Sequence, residues 1–311
     1  MNQDLVGALR LSDWGLIRAS GADARSFLHG QLTQDVLHLQ PGQARLAAFC
    51  SAKGRMLASF VIWPQGDDLL LACSADVLPA ALRRLSMFVL RAKCKLTDAS
   101  GEFALWGVAQ AGGQPSAGLP WPTAPGLVQA EGGTTVVRLP DAATADGPVE
   151  RALVLPAASA DAVPSLPALD AARWRWLEAR SGTPRIVAAT VEQFVPQMVN
   201  LELVGGVNFQ KGCYPGQEVV ARSQYRGTLK RRGFLVRADA ALAPGDEVFH
   251  SSDAEQPAGL VVVSGERNAD VAALVSLKID ATQDGELFAK SPGGVALHLE
   301  ALPYALPTEA A

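Results

Sequence analysis

The 311-residue sequence lacks the features that direct a chain into a membrane or out of the cell. Its N-terminus, MNQDLVGALRLSDWG, has no basic stretch followed by an apolar one, so no signal peptide is predicted. No apolar run approaches the roughly 18 residues that a membrane-spanning helix needs. The net charge of −4 gives the molecule no general attraction for nucleic acid or for an anionic membrane. The cytoplasm is therefore the expected location, and no membrane partner is expected.

Cysteine is scarce, and its spacing argues against a metal centre. The four cysteines form no CxxC pair and match no zinc motif, so no intrinsic metal is expected. Cys50, Cys73 and Cys94 lie in apolar, strand-like runs, which are typical of buried structural thiols in a reducing compartment. Cys213 differs, because glycine lies directly before it and Pro-Gly follows two residues later, in KGCYPGQEV (211–219).

The order of predicted elements indicates an α+β protein of three units. Helices over 22–31 and 74–91 alternate with strands in residues 1–110, which favours an α+β unit with a mostly antiparallel sheet. Ser20 and Asp23 are expected to cap the first of these helices and Asp76 the second. Gly/Pro-rich and Ala/Pro-rich connections and a helix in 169–182 indicate a second α+β unit over 111–227. Short strands separated by turn signals predict a small β-barrel over 228–311.

The surroundings of Cys213 favour a reactive thiol. Gly212 and Gly216 allow close approach of the backbone to another group. A helix is predicted over 217–225, so Cys213 lies just before a helix N-terminus, with Lys211 two residues away, and both features favour a thiolate. The alternative is a turn cysteine without a chemical role. The sequence places none of the four histidines as a base for Cys213, although a triad assembled in space stays open.

Two other segments contain candidate binding residues. Residues 222–232 contain five Lys or Arg and no acid, which indicates either a receptor for a polyanion or a solvated strand start. In RWRWLEARSGTPRI (173–186), Trp174 and Trp176 fall on opposite faces of a helix, so at least one of them is expected in the core or against a ligand. Glu178 follows on the same helix, and the alternative for it is an ordinary surface carboxylate.

Residues 194–232 resemble the YgfZ-type folate-binding proteins, which are relatives of the glycine-cleavage T-protein and include a mitochondrial iron–sulfur assembly factor. The motif K-G-C-Y-x-G-Q-E is complete at 211–218 and continues into V-A-R at 220–222 and Y-R-G at 225–227. Weaker similarities lie in FLHGQLTQDV (27–36) and CSAKGRM (50–56). Together with the β-rich end, the resemblance covers essentially the whole chain.

The resemblance implies three domains in a ring, namely two ferredoxin-like α+β units and a C-terminal barrel, with a tetrahydrofolate site facing a central channel. It implies a role in maintaining or repairing iron–sulfur enzymes, including those that thiolate tRNA. The partners would be folate, iron–sulfur proteins or their assembly machinery, and tRNA-modifying enzymes. Cys213 and Lys211 are the expected catalytic residues. The expected cofactor-binding residues are Tyr214, Gln217, Glu218, Arg222, Arg226 and Glu178.

The sequence departs from the T-protein at two positions. Ala58 and Ser59 stand where that family carries an Asp-Asp pair, and neither can take a proton as a carboxylate does, so aminomethyl transfer by that route is disfavoured and enzymatic activity stays open. A carboxylate is also expected to accept two N–H bonds from the pterin. Glu178 lies two residues further from the following Gly-x-Pro than in the family, with Arg180 at the expected place. Glu202 and Asp35 are the other candidates.

Three hypotheses follow. The first is a folate-dependent accessory factor for iron–sulfur proteins with Cys213 as its reactive thiol, and it requires a partner because one cysteine cannot hold a cluster. The second is a folate-dependent one-carbon transferase related to aminomethyltransferases. The third is a tRNA-binding module, which the basic segment permits and which the acidic net charge and the lack of an RNA-binding motif disfavour.

Overall fold

The computed structural model describes residues 2–111, 118–157, 166–225 and 229–307. They form two five-stranded antiparallel sheets, a closed six-stranded barrel and four α-helices. The predicted α+β fold with a C-terminal β-barrel is confirmed. No helix in these ranges is both long and apolar enough to cross a bilayer.

The first sheet has both faces buried. Alternate strand residues point to opposite faces. Ile17, Phe49 and Ile62 pack under the two helices α1 and α2, whereas Leu16, Ala48 and Trp63 face the core shared with the rest of the chain. The strand order is β3-β4-β5-β2-β6. The elements are β2 (Trp14–Ser20), α1 (Ala24–His29), β3 (Arg45–Cys50), β4 (Met56–Gln65), β5 (Asp68–Ser74), α2 (Leu78–Ser86) and β6 (Lys95–Asp98).

The second sheet contains one strand that precedes the first sheet in the chain and others that follow it. β1 pairs with β7, although the whole of the first sheet lies between them in the chain. The predicted boundaries at 110 and 227 stay predictions. The strand order is β1-β7-β10-β9-β8. The elements are β1 (Gly7–Arg10), β7 (Trp106–Ala111), β8 (Val128–Glu131), β9 (Thr134–Ala142), β10 (Val149–Leu155) and α3 (Ala171–Arg180).

The barrel follows helix α4 (Gln217–Tyr225), whose bounds agree with the prediction. Its strands close in the order β11-β14-β13-β12-β15-β16, which leaves no open edge. Apolar side chains such as Val236, Val261 and Val275 fill its interior. The strands are β11 (Arg231–Ala238), β12 (Glu247–His250), β13 (Gly259–Arg267), β14 (Asp270–Lys278), β15 (Leu287–Ala289) and β16 (Val295–Glu300).

The predicted helix caps are wrong, because both carboxylates bind loops instead. No side chain caps α1 or α2. The carboxylate of Asp23 accepts from the Lys93 backbone nitrogen at 2.7 Å, and that of Asp76 accepts from the Ala188 nitrogen at 2.9 Å. A bond to a distant backbone group therefore replaces the local one. In α3, by contrast, the Asp170 side chain caps the helix by accepting from the Arg173 nitrogen at 2.7 Å.

Helix α3 lies between the second sheet and the barrel. Trp174 and Trp176 are both buried, on its two sides. The Trp174 ring fills the space above Gly107 of β7, whereas the backbone at Trp176 lies directly on Gly265 of β13. A Cβ at position 265 would stand 2.6 Å from the Trp176 Cα, closer than real contacts allow. The glycine therefore sets how closely the barrel approaches α3.

Gly265→Ala is expected to destabilise the protein by about 1–3 kcal/mol or more, because the new methyl group overlaps helix backbone that cannot turn away. The measurement is the midpoint of urea unfolding. Gly101→Ala is the matched control, since no atom lies within 4 Å of the added Cβ there. Equal midpoints for the two variants would contradict this account of the junction.

Candidate functional site

The segment before the cysteine motif is bonded to the first unit. The Thr33 hydroxyl donates to the carbonyl of Gly206 at 2.7 Å and accepts from the Ala48 nitrogen at 2.8 Å. The Gln34 side chain donates to the carbonyl of Gly205 at 2.5 Å, and the Asn208 nitrogen donates to the carbonyl of Thr33 at 2.9 Å. Hydrogen bonds from the FLHGQLTQDV segment thus hold residues 205–208, which lead into KGCYPGQE.

Two glycines make the contact between CSAKGRM and the motif. Gly216 has a φ of +80°, and a Cβ there would stand 2.6 Å from the Cα of Gly54. Gly54 has a φ of +72°, and a Cβ there would stand 2.8 Å from the Val219 Cβ. Both the backbone conformation and the close approach require glycine. The three segments that carry the family resemblance therefore meet in space.

Lys211 anchors the motif loop. Its Nζ donates to the carbonyl oxygens of His29 at 2.5 Å and Leu32 at 2.9 Å and lies 4.6 Å from the centre of the Tyr214 ring. Burial lowers the pKa of Lys211 to about 8, against the opposing charges of Asp35 and Cys213. Tyr214 is buried beneath it, and burial raises the pKa of its phenol.

Cys213 is the exposed thiol among the four cysteines. Cys50 and Cys73 are buried, and burial raises the pKa of each to about 12. Cys94 is half-buried, and burial raises its pKa as well. Cys50 and Cys73 thus have the surroundings of structural thiols, as predicted. Cys213 lies on a loop held by Lys211 and leads into α4.

His29 stands beside Gly212, the residue before the cysteine, a position that sequence spacing gave no means to predict. Its Nε2 lies 3.7 Å from the point where a Cβ of Gly212 would stand, and its Nδ1 lies 3.1 Å from Asp35 Oδ1. Asp35 Oδ2 lies 2.8 Å from His38 Nδ1. Burial lowers the pKa of His29, and the charge of Lys211 acts in the same direction. The imidazole is therefore neutral at pH 7.

The other motif residues have different surroundings. Glu218 and Arg222 are exposed on α4 and lie 3.8 Å apart, which agrees with the predicted i,i+4 pair. Gln217 is the first residue of that helix. Arg226 lies outside the described residues. Arg232 is buried against Glu202, so it does not belong to an exposed receptor for a polyanion.

Glu178 lies in a small central cavity between the two sheets. The cavity is about 40 Å³ in volume and is lined by residues of both α+β units, among them Trp14, Ser59, Leu139, Arg151 and Arg185. Glu178 is 5% exposed, and its Oε2 accepts from Arg185 Nη2 at 3.0 Å. Its interpretation as a surface carboxylate is therefore wrong. Glu202 lies outside this lining, Asp35 binds two histidines, and Arg180 pairs with Glu300.

The guanidinium groups of Arg151 and Arg185 also line the cavity, and the sequence pattern assigned a role to neither. Arg185 also donates to Asp13 Oδ2 at 3.2 Å and to the Ser74 hydroxyl at 3.1 Å. Burial acts to lower the pKa of Arg185, but Glu178 and Asp13 outweigh it and raise that pKa. Arg151 donates only to the carbonyl of Pro140 and lies over the Trp174 ring, and burial lowers its pKa to about 10. The described residues place no carboxylate within ion-pair distance of Arg151.

The lining of the cavity shares Leu46, Val61, Leu139 and Pro140 with a wider pocket of about 400 Å³. Asp35 and Asn208 lie on the wall of that pocket, and Asp35 is the carboxylate bound to His29. On the other side, Arg185 also lines a pocket of about 470 Å³.

Of the two residues expected to stand in place of the T-protein's Asp pair, Ser59 lines this cavity and Ala58 does not. Ala58 is buried, and the Ser59 hydroxyl accepts from the Ile186 nitrogen at 2.9 Å and lines the cavity next to Glu178. Neither residue supplies a carboxylate there. In the described part of the chain, no group of three or more His, Cys, Asp or Glu side chains is arranged to hold a metal ion.

Comparison with solved structures defines the class of fold. The aminomethyltransferase T of the glycine cleavage system from Bartonella henselae aligns with a TM-score of 0.69 at 17% identity, over 96% of this chain and 86% of that one. The chain therefore has the fold of the glycine-cleavage T-protein.

Sequence comparison gives the family. The tRNA-modifying protein YgfZ of Photorhabdus laumondii is 32% identical over an alignment of 313 positions. The alignment covers 97% of this chain and 93% of that protein. The proteins of the same name from Shigella boydii serotype 4 and Escherichia coli strain SE11 are each 31% identical over 96% of this chain. No family model matches the chain. The chain belongs to the YgfZ family.

The native protein is expected to show one fast-reacting thiol with a disulfide reagent such as dithiobis(nitrobenzoate), because Cys213 is exposed whereas Cys50 and Cys73 are buried and protonated. The rate of colour release is the measurement. Cys213→Ser should remove the fast phase and Cys94→Ser should retain it. A fast phase that persists in Cys213→Ser would contradict the assignment.

Proposed function

We propose that the protein is a cytoplasmic, tetrahydrofolate-binding accessory factor in tRNA modification that maintains or repairs iron–sulfur enzymes, with Cys213 as its reactive thiol. The relatives' name supports the link to tRNA modification. The T-protein fold supports folate as the ligand. The observation that carries the proposal is the buried carboxylate of Glu178 in the central cavity of this fold.

The polar groups of the cavity fit a pterin. A carboxylate accepts two parallel N–H bonds from a ring of this kind. Glu178 presents such a carboxylate, itself buried, in a mostly apolar space, where a charge-assisted bond is strong. Glu178 thus stays our candidate ahead of Glu202 and Asp35, since it lines the central cavity and the other two do not.

The cavity is too small for a pterin unless its side chains rearrange. A cavity of about 40 Å³ has room for roughly three water molecules at 10–15 Å³ each, and a bicyclic pterin is larger. Arg185 already donates a hydrogen bond to the Glu178 carboxylate, the group that the pterin would use. Binding therefore requires Arg185 to turn toward Asp13 and the pocket beyond, where it already has a partner.

The thiol is proposed to act separately from the pterin site. None of the described motif side chains from Lys211 to Glu218 lines the central cavity. Cys213 is exposed, which suits attack of its thiolate on a disulfide of a partner protein, forming a mixed disulfide and releasing the partner's other sulfur as a thiolate. Tyr214 and Gln217 are proposed to shape this loop. Arg222 and Arg226 are proposed to hold the anionic end of the ligand, with Glu218 beside Arg222 on the same helix.

One-carbon transfer is the second candidate function, and the position of the wider pocket favours it. Asp35 lies on the wall of that pocket and binds the imidazole of His29, which stands beside Gly212. A folate tail in the pocket would therefore end on the side of the loop that carries Cys213. The lack of a carboxylate at Ala58 and Ser59 disfavours the T-protein route.

Glu178→Gln is expected to weaken tetrahydrofolate binding by about 10- to 100-fold, because a charge-assisted hydrogen bond contributes about 1.5–3 kcal/mol. Anaerobic titration followed by tryptophan fluorescence measures the affinity. Glu255→Gln, an exposed carboxylate of the barrel region, is the control. Glu178→Asp is included because it retains the charge if the amide variant unfolds. Unchanged affinity in a folded Glu178→Gln protein would rule out this pterin site.

Cys213→Ser is expected to fold normally and to fail to restore tRNA modification in cells that lack the native copy, because the side chain is exposed and only its thiol chemistry is lost. Mass spectrometry of tRNA nucleosides is the readout. Cys94→Ser should restore modification fully. Full restoration by Cys213→Ser would end the thiol hypothesis.

A further inference from the structure

The end of α2 and the chain that follows it carry basic and apolar side chains, with no acid between Asp76 and Asp98. Residues 77–97 contain five Lys or Arg and no Asp or Glu, in a chain whose net charge is −4. All five cations are exposed, and none of them has a salt bridge to any residue that the structure describes. We call this the α2 surface. Its cations are Arg83, Arg84, Arg91, Lys93 and Lys95.

Three large apolar side chains share the α2 surface. Met87 is 69% exposed, Phe88 is 47% exposed and Leu90 is 86% exposed. Large apolar side chains grouped in this way mark a binding surface more often than scattered single ones do. None of the motifs of the family resemblance lies in this segment.

Apolar packing and a backbone hydrogen bond hold the segment against the first unit. Val89, Ala92, Cys94 and Leu96 pack against the core of the first unit. The Lys93 nitrogen donates to the Asp23 carboxylate at 2.7 Å, so this carboxylate is bonded to the backbone of the segment. The exposed apolar and basic side chains therefore belong to a segment whose backbone is held against the first unit.

The charge of the α2 surface selects the kind of partner. A second copy joined symmetrically through the same face would oppose five cations with five cations, so a twofold dimer is disfavoured. A polyanion satisfies the cations, and unpaired bases stack on exposed aromatic rings and on guanidinium planes. Phe88 and the three arginines offer such platforms.

We propose that the α2 surface binds structured RNA, namely the loops of tRNA, through phosphate contacts to its cations and base stacking on Phe88. The choice of tRNA rests on the proposed role in tRNA modification. The binding itself is independent of the folate site, because none of the α2 surface residues lines the central cavity among the described residues.

The test is titration of fluorescently labelled, unfractionated tRNA with the full chain at several salt concentrations. Arg83→Ala, Arg84→Ala and Arg91→Ala together should weaken binding at least tenfold and reduce the slope of log K against log salt by roughly 2–3. Phe88→Ala should weaken binding about 5- to 100-fold through lost stacking, with the slope unchanged.

The matched control combines Arg10→Ala, Lys53→Ala and Lys290→Ala, three exposed cations elsewhere on the chain that have no salt bridge to a described residue. Equal losses in the arginine and control variants, or no saturable binding at low salt, would overturn the proposal. So would arginine- and Phe88-dependent binding to phosphatidylserine vesicles without tRNA binding. Tetrahydrofolate affinity, measured on the same variants, should be unchanged, so failure here is distinguishable from failure of the folate proposal.

Discussion

The buried ion pair between Glu178 and Arg185 is the interaction on which the arrangement of the cavity depends. Arg185 joins α3 to the turn before β2 and to the end of β5, through Asp13 and Ser74. It also lies 5.0 Å from the centre of the Trp14 ring. Removing one partner from such a pair typically costs about 3–5 kcal/mol, because a charge is left buried. The pair thus fixes the two α+β units against each other while it occupies the carboxylate that a pterin would use.

The rest of the site is organised by close backbone contacts. Gly54 against Gly216 places the motif loop on the first sheet, and Gly265 against Trp176 places the barrel on α3. Lys211 then fixes the loop by donating to two carbonyl oxygens of the first unit. The cysteine is presented at the surface because its neighbours on both sides are tied down. A rigid loop that carries one exposed thiol is suited to a transient partner.

Much of this architecture could be predicted from local pattern. Helix α4 and the Glu218–Arg222 pair follow from i,i+4 spacing, and the barrel follows from short strands and turn signals. The caps of α1 and α2 could not be predicted, because Asp23 and Asp76 bind groups 70 and 112 residues away. The burial of Glu178 also depends on a distant element. Arg185 is seven residues further along the chain and beyond a helix end, so helical periodicity gives no sign that the two side chains meet.

His29 illustrates the same limit at the thiol. It lies 182 residues from Lys211, and only the packing of α1 against the motif loop brings the two together. Family resemblance located both segments without indicating that they touch. The two halves of the functional proposal therefore rest on different grounds: Glu178 on its place in a T-protein fold, and Cys213 on its exposure in a held loop.

The central claim is that the folate site and the thiol are separate. Anaerobic calorimetric titration of the Cys213→Ala protein with tetrahydrofolate tests it most directly. Saturable binding with the affinity of the unaltered chain is the predicted result, because the cavity around Glu178 contains no motif side chain among the described residues. Absence of binding to the unaltered chain, or its loss with the cysteine alone, would contradict the account.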